Sequence, residues 1–99
     1  MALDYADQMQ KVGTITVANP AAAVTVTLGW APRYVRAVNV NNVVTYEHWD
    51  GMADGTSFDT ATELSLNAAG AITLTSNGFT LGTDICDTAA DVVYWLAIR

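Results

Sequence analysis

The most constraining feature of this chain is its last nine residues, 91–99, which predict a β-strand that is apolar on both faces. One face of such a strand would hold Val92, Tyr94, Leu96 and Ile98, and the other Val93, Trp95 and Ala97. A surface strand of a small domain normally places one face in the core and the other in water. Because a chain of 99 residues has little left to cover both faces, we expect a neighbouring subunit or a second sheet to cover one of them.

Period-two alternation and thirteen threonines predict seven or eight short strands in a single domain. The intervals with this pattern are 11–17, 23–28, 33–40, 43–49, 60–66, 71–76, 79–83 and 91–99. Asn41-Asn42 and Asn77-Gly78 predict tight hairpins in which asparagine and glycine take left-handed conformations. Residues 67–70 predict a turn and residues 88–90 one helical turn. We therefore expect a small antiparallel β-sandwich or barrel over 11–99, preceded by an N-terminal arm, 1–10.

The charge pattern argues against a nucleic-acid-binding protein, and the hydropathy pattern against a transmembrane protein. The net charge is −6, and the only basic residues are Lys11, Arg33, Arg36 and Arg99. Nucleic-acid binding needs several Lys and Arg side chains to neutralise phosphates, so no nucleic-acid partner is expected. No apolar run reaches 18 residues, which argues against a transmembrane helix and a membrane partner. The N-terminus lacks the basic start and apolar centre of a secretory signal, so we expect synthesis in the cytoplasm without secretion.

The titratable residues form no recognised catalytic or metal-binding motif. Asp50 and Asp54 lie beside glycines and suggest a calcium loop, but the alternating acids and closing Glu of an EF-hand are absent, so ordinary loop acids are the preferred interpretation. Cys86 and His48 are the only residues of their types and no motif links them as nucleophile and base. We expect no enzyme activity, no metal and no cofactor.

The aromatic side chains are candidates for a protein interface or a sugar-stacking platform. For Tyr46, Tyr94 and Trp95 a place in the core is the preferred interpretation, whereas Trp30, beside a proline at a turn, is the better interface candidate. The candidate partner-binding residues come from the arm, from its root and from the domain; they are Leu3, Tyr5, Met9, Lys11, Trp30, Pro32, Tyr34 and Trp95.

Two stretches of the chain resemble small virion proteins of tailed bacteriophages. The first runs from Trp30 to Val40 and continues from Tyr46 to Met52; the second runs from Asn77 to Asp84 and is followed by 91–95. The resemblance spans most of residues 10–99. Such proteins are often capsid decoration, or cement, proteins.

The resemblance implies a β-rich subunit, commonly a homotrimer, that clamps neighbouring major-capsid subunits from the outside. It carries no catalytic residues with it, and it implies a place on the capsid exterior of the virion. The alternative is a carbohydrate- or receptor-binding module of a phage tail or head fibre, in which an exposed Trp30 or Trp49 would stack on sugars.

Overall fold

The computed structural model describes residues 10–60 and 65–99, and this part of the chain is all-β. Its eight strands are β1 (Gln10–Thr16), β2 (Val24–Thr27), β3 (Tyr34–Asn39), β4 (Val44–Trp49), β5 (Thr56–Asp59), β6 (Ser65–Thr75), β7 (Gly78–Leu81) and β8 (Val92–Ile98). All strand pairs are antiparallel. The predicted fold class, a small antiparallel β-structure of seven to eight strands, is confirmed.

The eight strands form one sheet in the order β1-β8-β3-β4-β5-β6-β7-β2. Strands β3 to β7 follow one another as a meander, and β8 returns between β1 and β3. The sheet is strongly curled, as a contact between distant strands shows: the rings of Phe79 on β7 and Trp95 on β8 meet edge to face with their centroids 5.2 Å apart. These two strands are five positions apart in the sheet, so the curled sheet encloses the core between its own two halves.

Strand alternation determines which side chains fill this core. On β8, Val93, Trp95 and Ala97 are buried, which gives the terminal strand its inner face. The neighbouring strands contribute alternate residues in the same way; these are Val35 and Ala37 on β3, Val44, Tyr46 and His48 on β4, and Phe79 and Leu81 on β7. The core position expected for Tyr46 is therefore confirmed.

A buried asparagine fastens the β3–β4 hairpin to the connection before β8. Asn39 is 0% exposed; its Nδ2 donates to the Ile85 carbonyl at 2.9 Å and to Asp91 Oδ2 at 3.1 Å. Its Oδ1 accepts hydrogen bonds from the backbone N–H groups of Asn41 and Asn42 at 3.0 and 3.1 Å. Since every polar atom of this side chain has a partner, it can be buried without the cost of an unsatisfied group.

Several local predictions were wrong, and each has a physical reason. The left-handed residue of the β3–β4 hairpin is Val43, with φ 57°, rather than Asn41 or Asn42; the backbone N–H groups of both asparagines donate to Asn39 Oδ1 in this turn. Residues 88–90 form a turn and no helix. The Asn77-Gly78 hairpin forms one residue earlier than predicted, since Thr75 pairs with Gly78.

The region from 56 to 75 also differs from the prediction. Strand β5 was not predicted, and β6 runs through the expected turn at 67–70. The register shifts between Thr56, which pairs with Ile72, and Ser57, which pairs with Asn67. The extra residues of β6 form a bulge that contains Gly70 at φ 75°, so the glycine serves a bulge within a strand instead of a turn. The part of the predicted strand 60–66 at 61–64 lies outside the described residues.

Candidate interaction surface

The outer face of β8 is flanked on both sides by outward-facing residues of its neighbours. The strand register places Val12 of β1 and Arg36 of β3 on either side of Leu96. The next outward row consists of Thr14, Tyr94 and Val38 in the same order. Val12 is 68% exposed and Tyr94 53% exposed, so the outer face of β1 and β8 presents apolar surface to solvent.

These two rows line a groove of about 440 Å³ that is open to solvent. Gly13 and Trp95, which alternate with the outward residues, complete its lining. We call this feature the β8 groove. A groove with apolar walls and one cation, Arg36, suits a protein segment with apolar side chains and an acidic group.

The outer face continues beyond the β8 groove into an aromatic patch. Glu47 lies opposite Arg36 on one side and Phe58 on the other. The ring of Phe58 stacks on that of Trp49 with 5.3 Å between centroids and 26° between planes. Trp49 is 43% exposed, so the stack offers a flat aromatic surface beside the groove. We call Trp49 and Phe58 the Trp49 patch.

A hydrogen bond fixes the polar groups between the groove and the patch. The Tyr34 hydroxyl donates to Glu47 Oε2 at 2.6 Å. Burial raises the pKa of Tyr34 to about 12, with a further contribution from the Glu47 carboxylate that accepts the hydrogen bond. The phenol therefore stays protonated and keeps the Glu47 carboxylate in place at neutral pH.

The four cations of the chain lie on or beside three adjacent strands, β1, β8 and β3. Lys11 lies on β1 and Arg36 on β3, while Arg33 and Arg99 adjoin the ends of β3 and β8. The Arg33 N–H donates to the Ile98 carbonyl at 2.8 Å, which brings these two ends together. Strands β1, β8 and β3 carry Lys11 and Arg36 and no acidic side chain, in a chain whose net charge is −6; we call these three strands the basic region.

The structure places the predicted partner-binding residues unequally. Lys11 is exposed on β1, and Tyr34 is half-buried on the outer face. Trp30 is half-buried against the core, with the Arg99 guanidinium 5.9 Å from its ring centroid. Leu3, Tyr5 and Met9 lie outside the described residues.

One of the core assignments was wrong and another is confirmed. Tyr94 was expected in the core but is exposed, whereas Trp95, also expected in the core, is 8% exposed and packs on Phe79. Of the candidate partner-binding residues, Pro32 and Trp95 are buried. Val12 and Leu96 could not be predicted as groove residues from the sequence, because they are brought together only by the register of β1 on β8.

His48 and Cys86, the residues considered as base and nucleophile, are both buried. His48 is 1% exposed and its Nδ1 lies 2.7 Å from the Thr56 carbonyl oxygen. Cys86 is 0% exposed, and its burial, together with the charge of Asp87, raises the pKa of its thiol. A thiol with a raised pKa is a poor nucleophile because little thiolate is present at neutral pH.

Within residues 10–60 and 65–99, no group of three or more His, Cys, Asp or Glu side chains is arranged to hold a metal ion. The same residues contain no helix long and apolar enough to cross a membrane. Comparisons with protein-family models, with curated proteins and with solved structures found no match.

Proposed function

We propose that this chain is a decoration, or cement, protein of a tailed-bacteriophage head. It binds the outside of the assembled capsid as a homotrimer and joins neighbouring major-capsid subunits. The resemblance of 30–40 with 46–52, and of 77–84 with 91–95, to small virion proteins supports this assignment. The observation that carries it is the outer face of the sheet, where Val12, Tyr94 and Trp49 are 68%, 53% and 43% exposed.

Exposed apolar side chains clustered on one face are typical of surfaces that bind other proteins. On a capsid the same small contact is repeated at many equivalent sites, and within each bound oligomer the contacts act together. Linked contacts of modest individual strength then give high overall avidity. A small β-domain with exposed apolar side chains on one face is suited to this kind of binding.

Addition of the purified protein to heads that lack it tests the proposal. We expect saturable binding, measured as copies per head, and a higher melting temperature of the decorated heads. Trp49→Ser removes the exposed ring of the Trp49 patch, and loss of an aromatic interface anchor costs about 2 kcal/mol, or roughly 30-fold in affinity. Val40→Thr is the matched control, because Val40 is 41% exposed and lies outside the patch.

Two results would contradict the proposal. One is the absence of binding to heads under conditions in which the protein is folded. The other is unchanged melting of heads that carry the protein, because a cement protein has to stabilise the shell. Circular dichroism of Trp49→Ser confirms that any loss of binding is not a loss of folding.

The alternative function, a carbohydrate-binding module, is favoured by one specific observation. Trp49 stacked on Phe58 is a flat, partly exposed aromatic surface of the kind that can stack on sugar rings. A glycan array probed with the wild type and with Trp49→Ser separates the two functions. Glycan binding that depends on Trp49, without binding to heads, would establish the alternative in place of the cement function.

A further inference from the structure

Among the described residues, one edge of strand β1 has no partner strand. Within the described part of the chain β1 bonds only to β8, and it stands at one end of the sheet order. Its seven residues present a row of main-chain donors and acceptors roughly 23 Å long. Such an edge is a template for an added strand, and natural proteins often protect it with charged residues. On β1 the only charged side chain is Lys11.

The surroundings of this edge specify the chemistry of an added strand. Val12, at 68% exposure, borders the β8 groove, and Arg36 lies within the groove. Lys11 alternates with Val12 along β1 and so belongs to the other face of the strand. The fitting occupant is an extended segment with apolar side chains and an acidic group toward the groove, and a second acidic group on its opposite face.

Residues 1–9 of this chain have that pattern. In an extended conformation Leu3, Tyr5 and Asp7 share one face, and Asp4 lies on the other. The segment contains no Lys or Arg and no Gly, Asn or Pro. It therefore lacks the glycine that the favoured two-residue reversals onto its own β1 would use, whereas nine extended residues reach roughly 30 Å beyond Gln10.

We propose that residues 1–9 of one copy add as an antiparallel strand to the unpaired edge of β1 in a second copy. Leu3 and Tyr5 pack at the border of the β8 groove. Asp7 faces the groove that contains Arg36, and Asp4 lies on the face of Lys11. The number of copies, three, rests on the proposed function; the contact itself rests on the edge, the groove and the charges.

Head-to-tail exchange agrees with the charge distribution. A symmetric contact between two β1 edges would bring the basic regions of two copies together, and like charges at close range oppose association. Donation of an acidic arm to the basic region of the next copy instead pairs opposite charges. A contact between two different surfaces closes into a ring when its rotation permits, and three such contacts form a trimer.

Charge reversal tests the exchange in solution, without capsids. By light scattering after size-exclusion chromatography, the wild type should have three times the mass of the 10.5 kDa chain. D4K/D7K and K11E/R36E should each lose the trimer and elute as monomers. The variant with all four reversals restores opposite charges and should regain the trimer.

A matched control and a second measurement keep the test independent of folding. D50K/D54K changes the net charge as much as D4K/D7K but alters the loop after β4, so it should remain trimeric. Hydrogen exchange should show protected amides along β1 in the wild type, with loss of that protection in D4K/D7K while the amides of β4 stay protected.

A monomeric wild type, or a trimer that survives D4K/D7K, would overturn the exchange. If the wild type is monomeric and its arm becomes protected only on heads, the arm belongs to the capsid contact, and the cement function stands while the exchange fails. If a trimer that depends on the arm forms but does not bind heads, the exchange stands and the cement function fails.

Discussion

We expect that one methyl group added at Gly13, in Gly13→Ala, lowers the stability of the domain. Gly13 faces Trp95 in the register of β1 on β8. A Cβ at Gly13 would lie 2.6 Å from Trp95 Cε2 and 2.8 Å from Nε1, and closer still to Cζ2. Ordinary contacts at such an atom are 3.4–4 Å, so in Gly13→Ala the indole ring has to retreat by roughly 1 Å.

The ring has little room for this movement. Trp95 is 8% exposed and packs edge to face on Phe79, which is 0% exposed. Overpacking of a core by a methyl group costs about 1–3 kcal/mol, while replacement of Gly by Ala offsets about 0.4–1 kcal/mol through the unfolded chain. We expect a net loss of about 1–2 kcal/mol, which lowers the melting temperature of a domain of this size by roughly 5–15 °C.

Urea and thermal unfolding measure the loss, and near-UV circular dichroism reports the environment of Trp95. The control is Gly13→Ala in a Trp95→Leu background, where the three ring atoms are absent and the added methyl group should cost nothing. A coupling of about 1–3 kcal/mol between the two positions is expected for residues in contact. Equal costs in both backgrounds, or a Gly13→Ala protein as stable as the wild type with an unchanged spectrum, would refute the reasoning.

Three further predictions concern stability. Asn39→Ala should lower the free energy of unfolding in urea by about 3 kcal/mol, because the buried partners of its amide lose their hydrogen bonds. Asn42→Ala is the control: its side chain is exposed and makes only long hydrogen bonds of 3.3–3.4 Å, so the loss should be less than about 1 kcal/mol. Val43→Gly should stabilise the chain by about 1 kcal/mol, since a β-branched residue at φ 57° is strained and glycine is not; a lower melting temperature would contradict this. Burial raises the pKa of Tyr34 and of Tyr46 from 10.0 to about 12. The stability that their protonated phenols contribute is therefore complete below pH 10 and is lost as the pH rises through about 12. Ultraviolet absorbance should detect two tyrosines that ionise near pH 12, and Tyr34→Phe should leave one.

The alternation of β-strands could be read from the sequence because it depends on local chemistry. Val24 and Val26 on β2 face inward as their period-two pattern predicts, and Val44 and Tyr46 share the inner face of β4. On β2 the intervening positions are the polar Thr25 and Thr27, which makes the inner face evident from the sequence. Antiparallel pairing then followed from the short connections and the hairpin signal at Asn77-Gly78.

The β5–β6 region could not be predicted in the same way. Its outcome depends on a register shift, in which Thr56 pairs with Ile72 but Ser57 pairs with Asn67. Asn67 to Gly70 has the composition of a turn, and only the pairing with β5 converts it into a bulge inside one strand. Such a choice depends on contacts between distant residues, and a single sequence gives little information on them.

The candidate site has the same limit, and β8 illustrates it most clearly. Its two faces are equally apolar in sequence, so the pattern predicts a central strand but cannot distinguish the face in the core from the face in solvent. The topology makes that distinction, because insertion of β8 between β1 and β3 places Trp95 against Phe79 and leaves Tyr94 outside. Among the described residues, packing in the core does not explain the apolar side chains on the outer face, such as Val12 and Tyr94. We propose that a partner surface covers them, since the apolar groove, the edge of β1 that has no partner strand in the described part of the chain, and the side chains of Lys11 and Arg36 lie on the same three strands.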